Sequence, residues 1–335
     1  MVKRRIGFCG VFVLCACMAF SWLFVMNGGP LGAAEKDYPN RPITIIIAFP
    51  PGGSIDLPIR IAQTSLRETL GVPLVLENKV GAGGALGGDF VAKAKPDGYT
   101  ALACATAGLT IAPQLNPGVA YKYTDFVPIC SPTVDYITLA ARPDAPFKTL
   151  DEMISYAKKN PGKLNCATAG MGSAAHFFLE SFKQAFEVDI VAVHFSGAVP
   201  ATNAILGGHV DLTAQTLGAM IPQIKAEKIN LLVTGSTKRL KEFPNIPTLA
   251  EKGLTKVLNV RNGVYVTQKC PKIVVDKLSE ALEKAFRNPE IIEKVEKADL
   301  HVDYMNNEEA QKYMDQEFAL VADIIKKGGI PKAGK

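Results

Sequence analysis

The stretch Ile43-Thr44-Ile45-Ile46-Ile47-Ala48-Phe49 runs straight into Pro50-Pro51-Gly52-Gly53. An unbroken, β-branched apolar run favours a buried strand, and the Pro and Gly pairs force a tight loop at its end. Ser54 and Asp56 then precede Ile59, Ile61, Ala62, Leu66 and Leu70, a helical stripe closed by Gly71. The same order returns twice. Leu74-Val75-Leu76-Glu77 leads into the glycine-rich segment 81–88 and a helix over 86–95. Pro96-Asp97-Gly98 then turns the chain into a strand over 99–104 and a loop of small residues, Thr106-Ala107-Gly108. Three strand–loop–helix units in succession predict an α/β sheet of parallel strands. In such sheets ligands bind at the carboxyl ends of the strands, where these loops fall.

The second half repeats the scheme. Thr149-Leu150-Asp151-Glu152 opens a helix that stops at Asn160-Pro161-Gly162. Strands follow over 164–167, 190–193, 210–214 and 229–234, with helices over 174–186 and 201–206 between the earlier ones. Amphipathic helices over 271–286, 289–297 and 307–327 close the chain. At 335 residues the chain exceeds the roughly 250–300 residues at which one core stops growing, so two domains are expected.

The N-terminus is a separate object. Lys3, Arg4 and Arg5 precede an apolar run from Ile6 to Met26, then Gly32, Ala33 and Ala34. This is the order of a secretory signal, with the cut expected after Ala34. The apolar run is also long enough to serve as a retained anchor. Loss of residues 1–34 removes three basic and no acidic residues, so the net charge falls from +5 to +2. A chain this near neutral has no basic surface suited to nucleic acid. Outside the signal stand Cys104, Cys130, Cys166 and Cys270, far apart and without metal spacing. They read as buried free thiols, although an oxidising compartment would permit pairing.

The most informative local segment is Pro50-Pro51-Gly52-Gly53-Ser54-Ile55-Asp56. Glycines let backbone N–H groups converge, and a helix N-terminus adds its positive end, which together suit a carboxylate. The plainer alternative is a capped turn with Ser54 or Asp56 as the cap. The segment lacks the Gly-Lys-Ser/Thr ending of a phosphate loop, and 81–88 lacks the acidic residue that a dinucleotide site needs. Thr168-Ala169-Gly170-Met171-Gly172-Ser173 with His176 repeats the design of the first loop. Cys166 with His176 does not make a nucleophile pair, because no orienting group or oxyanion motif accompanies them. No cofactor, metal or catalytic set is expected.

The ordered set of motifs resembles the solute receptors of tripartite tricarboxylate transporters, the Bug receptors. The resemblance rests on Tyr38-Pro39-Asn40-Arg41-Pro42-Ile43-Thr44, the Pro-Pro-Gly-Gly-Ser-Ile-Asp loop, Glu77-Asn78-Lys79 with Gly81-Ala82-Gly83-Gly84, and Lys95-Pro96-Asp97-Gly98-Tyr99. It continues through Gly170-x-Gly-Ser-x-x-His176, Ser196-Gly197, Gly207-Gly208-His209-Val210-Asp211-Leu212 and Phe243-Pro244-Asn245-Ile246-Pro247. It covers almost all of the chain beyond the signal.

The resemblance implies a periplasmic-binding-protein type II fold: two α/β lobes joined by two crossing strands, with the ligand cleft between them. Lobe one would be 35–136 with 260–335, lobe two 137–259, and the crossings would lie near 136–142 and 261–267. It implies a receptor and not an enzyme, monomeric and periplasmic, that hands a small carboxylate to two membrane subunits. From lobe one the implied ligand residues are Pro51, Gly52, Gly53, Ser54 and Asp56, then Ala82 and Gly83, then Thr106 and Ala107. Asp56 is expected to orient its loop, since like charges repel. From lobe two they are Thr168, Ala169, Ser173 and His176, then Ser196 and Gly197, then Gln215 and Thr216. Two stretches depart from the family pattern, His194-Phe195 and Val266-Thr267-Gln268-Lys269-Cys270-Pro271. Both bear on the ligand more than on the fold, and His194 is expected to hydrogen-bond within the cleft wall. The competing functions are a sensor for a membrane kinase and a secreted α/β hydrolase.

Overall fold

The computed structural model describes residues 37–327 and 330; the expected signal lies outside them. Chain order begins β1 (Ile43–Ile47), α1 (Asp56–Leu70), β2 (Leu74–Asn78), α2 (Ala85–Ala92), β3 (Thr100–Ala105), α3 (Thr106–Thr110) and α4 (Ala112–Leu115). It continues with β4 (Phe126–Asp135), β5 (Ile137–Ala141), α5 (Leu150–Lys159), β6 (Leu164–Thr168), α6 (Ala174–Phe186), β7 (Ile190–His194) and α7 (Ala198–Leu206). Then come β8 (Leu212–Thr216), α8 (Leu217–Lys225), β9 (Asn230–Thr234), β10 (Val260–Thr267), α9 (Lys272–Phe286), α10 (Pro289–Glu296), β11 (His301–Met305) and α11 (Asn307–Lys326).

Local chemistry explains several boundaries. Gly71 closes α1 in the left-handed region, at φ 72°, where a side chain would be strained. Thr149 and Glu152 form a reciprocal capping box on α5, as their spacing predicts. Asn306 and Glu309 do the same for α11.

The strands make two sheets. One has six strands in the order β11-β4-β10-β3-β1-β2, the other five in the order β7-β6-β8-β5-β9. The expectation of parallel strands holds only for β2-β1-β3 and β7-β6-β8. Strand β10 is antiparallel to β3 and β4, and β5 is antiparallel to β8 and β9. Both antiparallel strands enter from the other sheet, so no helical crossover sets their direction. The outward change of sheet takes one residue, Tyr136, between β4 and β5. The return passage falls between β9 and β10, so Arg261–Thr267 already lie inside the six-stranded sheet.

Each sheet is covered by helices over its own core. Leu139, Cys166, Phe178, Leu179 and Phe182 centre one cluster under the five-stranded sheet. Ile46, Leu102, Cys104, Phe126 and Tyr265 centre another in the six-stranded sheet. A smaller cluster joins Ile111, Phe177, Leu258, Val321 and Ile324, and so ties α6 to α11. The four described cysteines are free; Cys104, Cys130 and Cys166 are buried and Cys270 is half-buried. Among the described residues no helix is long and apolar enough to cross a membrane.

Candidate ligand-binding cleft

Strand β1 delivers its loop as expected, and a buried carboxylate holds that loop in place. Asp56 is 1% exposed. It accepts from the Gly52 N–H at 2.9 Å, from Arg60 Nε at 2.7 Å and from Asn78 Nδ2 at 3.0 Å. Burial pushes the Asp56 carboxyl up, but the bonds from Arg60, Gly52 and Asn78 outweigh it and leave the group below its ordinary value. Asn78 also donates to the Phe49 carbonyl at 2.9 Å, so the end of β2 is stitched to the end of β1. Asp56 therefore faces inward as an anchor, while Pro51 and Gly52 stay exposed and Gly53 and Ser54 half-buried. The Ser54 carbonyl is fixed by Asn262 Nδ2 at 2.9 Å.

The second loop carries local strain. Ala82 sits at φ 48° and Gly83 at φ 64°, both exposed. A left-handed alanine persists only where its surroundings over-determine it, and such positions concentrate at binding sites. Gly84 beneath it has no room for a side chain, because a Cβ there would lie 2.9 Å from Cys104 Sγ. The third segment differs from its expected form. Thr106 and Ala107 open the short helix α3 instead of a loop. The Thr106 hydroxyl is buried, 2.9 Å from the Tyr265 hydroxyl and 3.3 Å from the Arg261 carbonyl. It serves the core, and Ala107 is half-buried beside it.

In the five-stranded sheet, Thr168 ends β6 fully buried with its hydroxyl 2.8 Å from His194 Nδ1. The Phe195 N–H returns to the Thr168 carbonyl at 3.1 Å, which locks the two loops together. Ser173 caps α6 by accepting from the His176 N–H at 3.2 Å. His176 Nδ1 accepts from the Gly172 N–H at 3.1 Å, so its proton resides on Nε2. Burial, with the neighbouring His194 and Lys183, pushes His176 down to about 4 and keeps it neutral. Ala169 and Gly197 are half-buried and Ser196 exposed. Gln215 is buried on β8 with its Nε2 unpartnered, and the half-buried Thr216 stands at the start of α8. Across that start, Asp135 accepts from the Gly218 N–H at 3.2 Å; burial pushes its carboxyl up to about 6.

The loops thus gather in two groups, one on each sheet. The turn at Gly172 packs on α4, so close to Leu115 that a Cβ would lie 2.5 Å from its Cδ1. None of the expected ligand residues is Lys or Arg. What the loops offer is backbone N–H groups, hydroxyls and the N-terminal ends of α1, α2, α6, α7 and α8, which favour anions. Sequence reasoning missed Asn262 and Tyr265, which fix loop positions from a strand distant in the chain. The role of Asn78 in holding the first loop is likewise not announced by its place in the Glu77-Asn78-Lys79 motif. Cys166 is no nucleophile: burial pushes its thiol well above the ordinary range.

Residues 59–330 match the tripartite tricarboxylate transporter family receptor. Protein BugT of Bordetella pertussis is 32% identical over 281 residues, 82% of this chain and 86% of that one. Two solved structures from Rhodopseudomonas palustris are similar. One, solved with adipate, is 26% identical with a TM-score of 0.72 and covers 88% of this chain and 99% of its own. MatC with bound malate is 28% identical with a TM-score of 0.67 and covers 86% and 100%. The two-sheet architecture and these likenesses define an extracytoplasmic solute-binding receptor of the periplasmic-binding-protein type II fold, and not an enzyme. The chain belongs to the tripartite tricarboxylate transporter receptor family.

Proposed function

We propose that this receptor binds a small carboxylate between two lobes, 35–136 with 260–335 and 137–259, and delivers it as a monomer to two membrane subunits. Residues 1–34 act as the export signal. The ligand residues are those at 51–54 and 56, 82–83, 106–107, 168–169, 173 and 176, 196–197 and 215–216. In this reading Asp56, Thr106 and Thr168 shape the loops, while the exposed Gly52, Ala82, Gly83 and Ser196 meet the ligand or its waters. Water-bridged contacts cost little relative to direct ones, so an anion needs no cationic side chain here. The observation that carries the proposal is the set of helix N-termini that follow strands of both sheets, with the strained, exposed turn at Ala82-Gly83 beside them. The adipate and malate of the related structures point to the same ligand class.

The test is a thermal-shift screen of the mature chain against mono-, di-, tri- and aromatic carboxylates. The one tryptophan, Trp22, lies in the signal, so an external dye reports unfolding. A carboxylate at 100 times its Kd stabilises by about 2.7 kcal/mol, a rise of roughly 4–5 °C for a chain of this length. A folded protein that shifts with none of them overturns the carboxylate reading.

A further inference from the structure

We propose that His194 is a titratable specificity determinant of the cleft: its Nε2 meets a ligand carboxylate, and proton uptake there tightens binding as pH falls. The inference rests on the carboxylate reading above. Geometry supplies the argument. His194 ends β7, one residue from the Phe195-Ser196-Gly197 turn that starts α7. Its Nδ1 is taken by the Thr168 hydroxyl at 2.8 Å. Its ring packs against the His176 ring with centroids 4.2 Å apart, so the orientation is fixed from two sides. No hydrogen bond engages Nε2 among the described residues, and the side chain is only half-buried, so this nitrogen is left for a ligand.

The charges facing it are few. Thr168 on β6 is neutral. On α6, His176 is held neutral, its Nε2 3.8 Å from Glu180, and Lys183 pairs with Glu180 at 2.8 Å. Burial depresses His194, Glu180 opposes that and Lys183 adds to it. Without ligand the imidazole is therefore neutral at neutral pH. A carboxylate against Nε2 reverses the balance, because an opposite charge within hydrogen-bond range favours the protonated form. The sign follows by linkage: the bound state takes up protons, so affinity rises as pH falls toward the raised value. With Lys and Arg absent from the expected ligand residues, His194 would supply the positive charge that the loops lack.

The test compares wild type with His194→Gln, which keeps a neutral donor near Nε2 but cannot titrate. Succinate, tricarballylate and benzoate are titrated against both proteins by calorimetry at pH 8 and pH 6. The wild type is expected to bind at least one probe about 3- to 10-fold tighter at pH 6, and H194Q to bind it with no such gain. NMR of the histidine Cε1–H signals supplies a second reading, simple in a chain with 4 histidines. Saturating probe should move the His194 midpoint upward in the wild type. A pH gain that survives in H194Q, or a midpoint unmoved by a bound probe, refutes the role of His194 alone. Failure of every probe to bind wild type at both pH values overturns the carboxylate reading and this inference with it.

Discussion

Replacing Asp56 by alanine removes the acceptor on which the first cleft loop hangs. Three donors converge on that carboxylate, from Gly52, Arg60 and Asn78. Hydrogen bonds to an ionised group contribute about 1.5–3 kcal/mol each when neither partner can turn to water. The Arg60 side chain is 41% exposed and rehydrates on its own, so its pairing adds little. Gly52 is exposed and its N–H can also turn to water, so the half-buried Asn78 amide is the costly loss and sets the destabilisation at about 2 kcal/mol. That corresponds to a fall of roughly 3–4 °C in Tm for a chain of this length. Asp56→Asn keeps the volume but turns an amide donor toward another donor, so it should fall between wild type and alanine. Because the Asp56 carboxyl is held below its ordinary value, its stabilisation is present above about pH 4 and lost as pH drops through the lower folded value. Urea unfolding from pH 3 to pH 7 reads both effects. Wild type and Asp56→Ala curves that coincide at pH 7 would show that the loop does not depend on this anchor.

Gly108→Ala would place a Cβ 2.9 Å from the Gly83 carbonyl oxygen, a backbone atom that cannot swing away. Overpacking of about 1–3 kcal/mol outweighs the helix gain of about 1 kcal/mol, so the variant should lose Tm and bind carboxylates more weakly. A more stable Gly108→Ala would contradict this packing. Glu317, buried on α11 and bonded to the Thr110 hydroxyl, is pushed up to about 7 by burial. A carboxyl raised above its unfolded value stabilises fully below about pH 4 and loses that contribution as pH rises through about 7. Glu317→Gln should therefore gain on wild type between pH 5.5 and 9, on the order of 2 kcal/mol by urea unfolding; parallel pH curves would rule this out.

The elements that sequence reveals best are those with purely local causes. The β-branched run before Pro50, the stripe of α1 closed by Gly71, and the Thr149–Glu152 capping box all appear where the pattern puts them. Strand β4 is harder to read, because Pro128 and Pro132 interrupt it and its register shifts against β10. Strand β11 is half-buried along its whole length and shows no alternation. The antiparallel direction of β5 and β10 depends on long-range topology, which no local spacing encodes. At the cleft, the glycine-rich loops and the inward role of Asp56 are legible. The burial of Thr106 and Gln215 is not, because it depends on Tyr265 and on β5, distant in sequence.

The position of β10 has a consequence for synthesis. It lies in the middle of the six-stranded sheet, between β4 and β3, yet it comes after every strand of the five-stranded sheet, which is continuous from Ile137 to Thr234. As the chain emerges, the contiguous sheet has all its strands first. The other remains a β2-β1-β3 fragment and a lone β4 until Val260–Thr267 arrives to join them. Non-local pairings of this kind form late and slowly. A nascent chain stalled before Val260 would thus hold one sheet with all its strands and one with an open seam, a natural foothold for a chaperone that recognises unpaired strand edges.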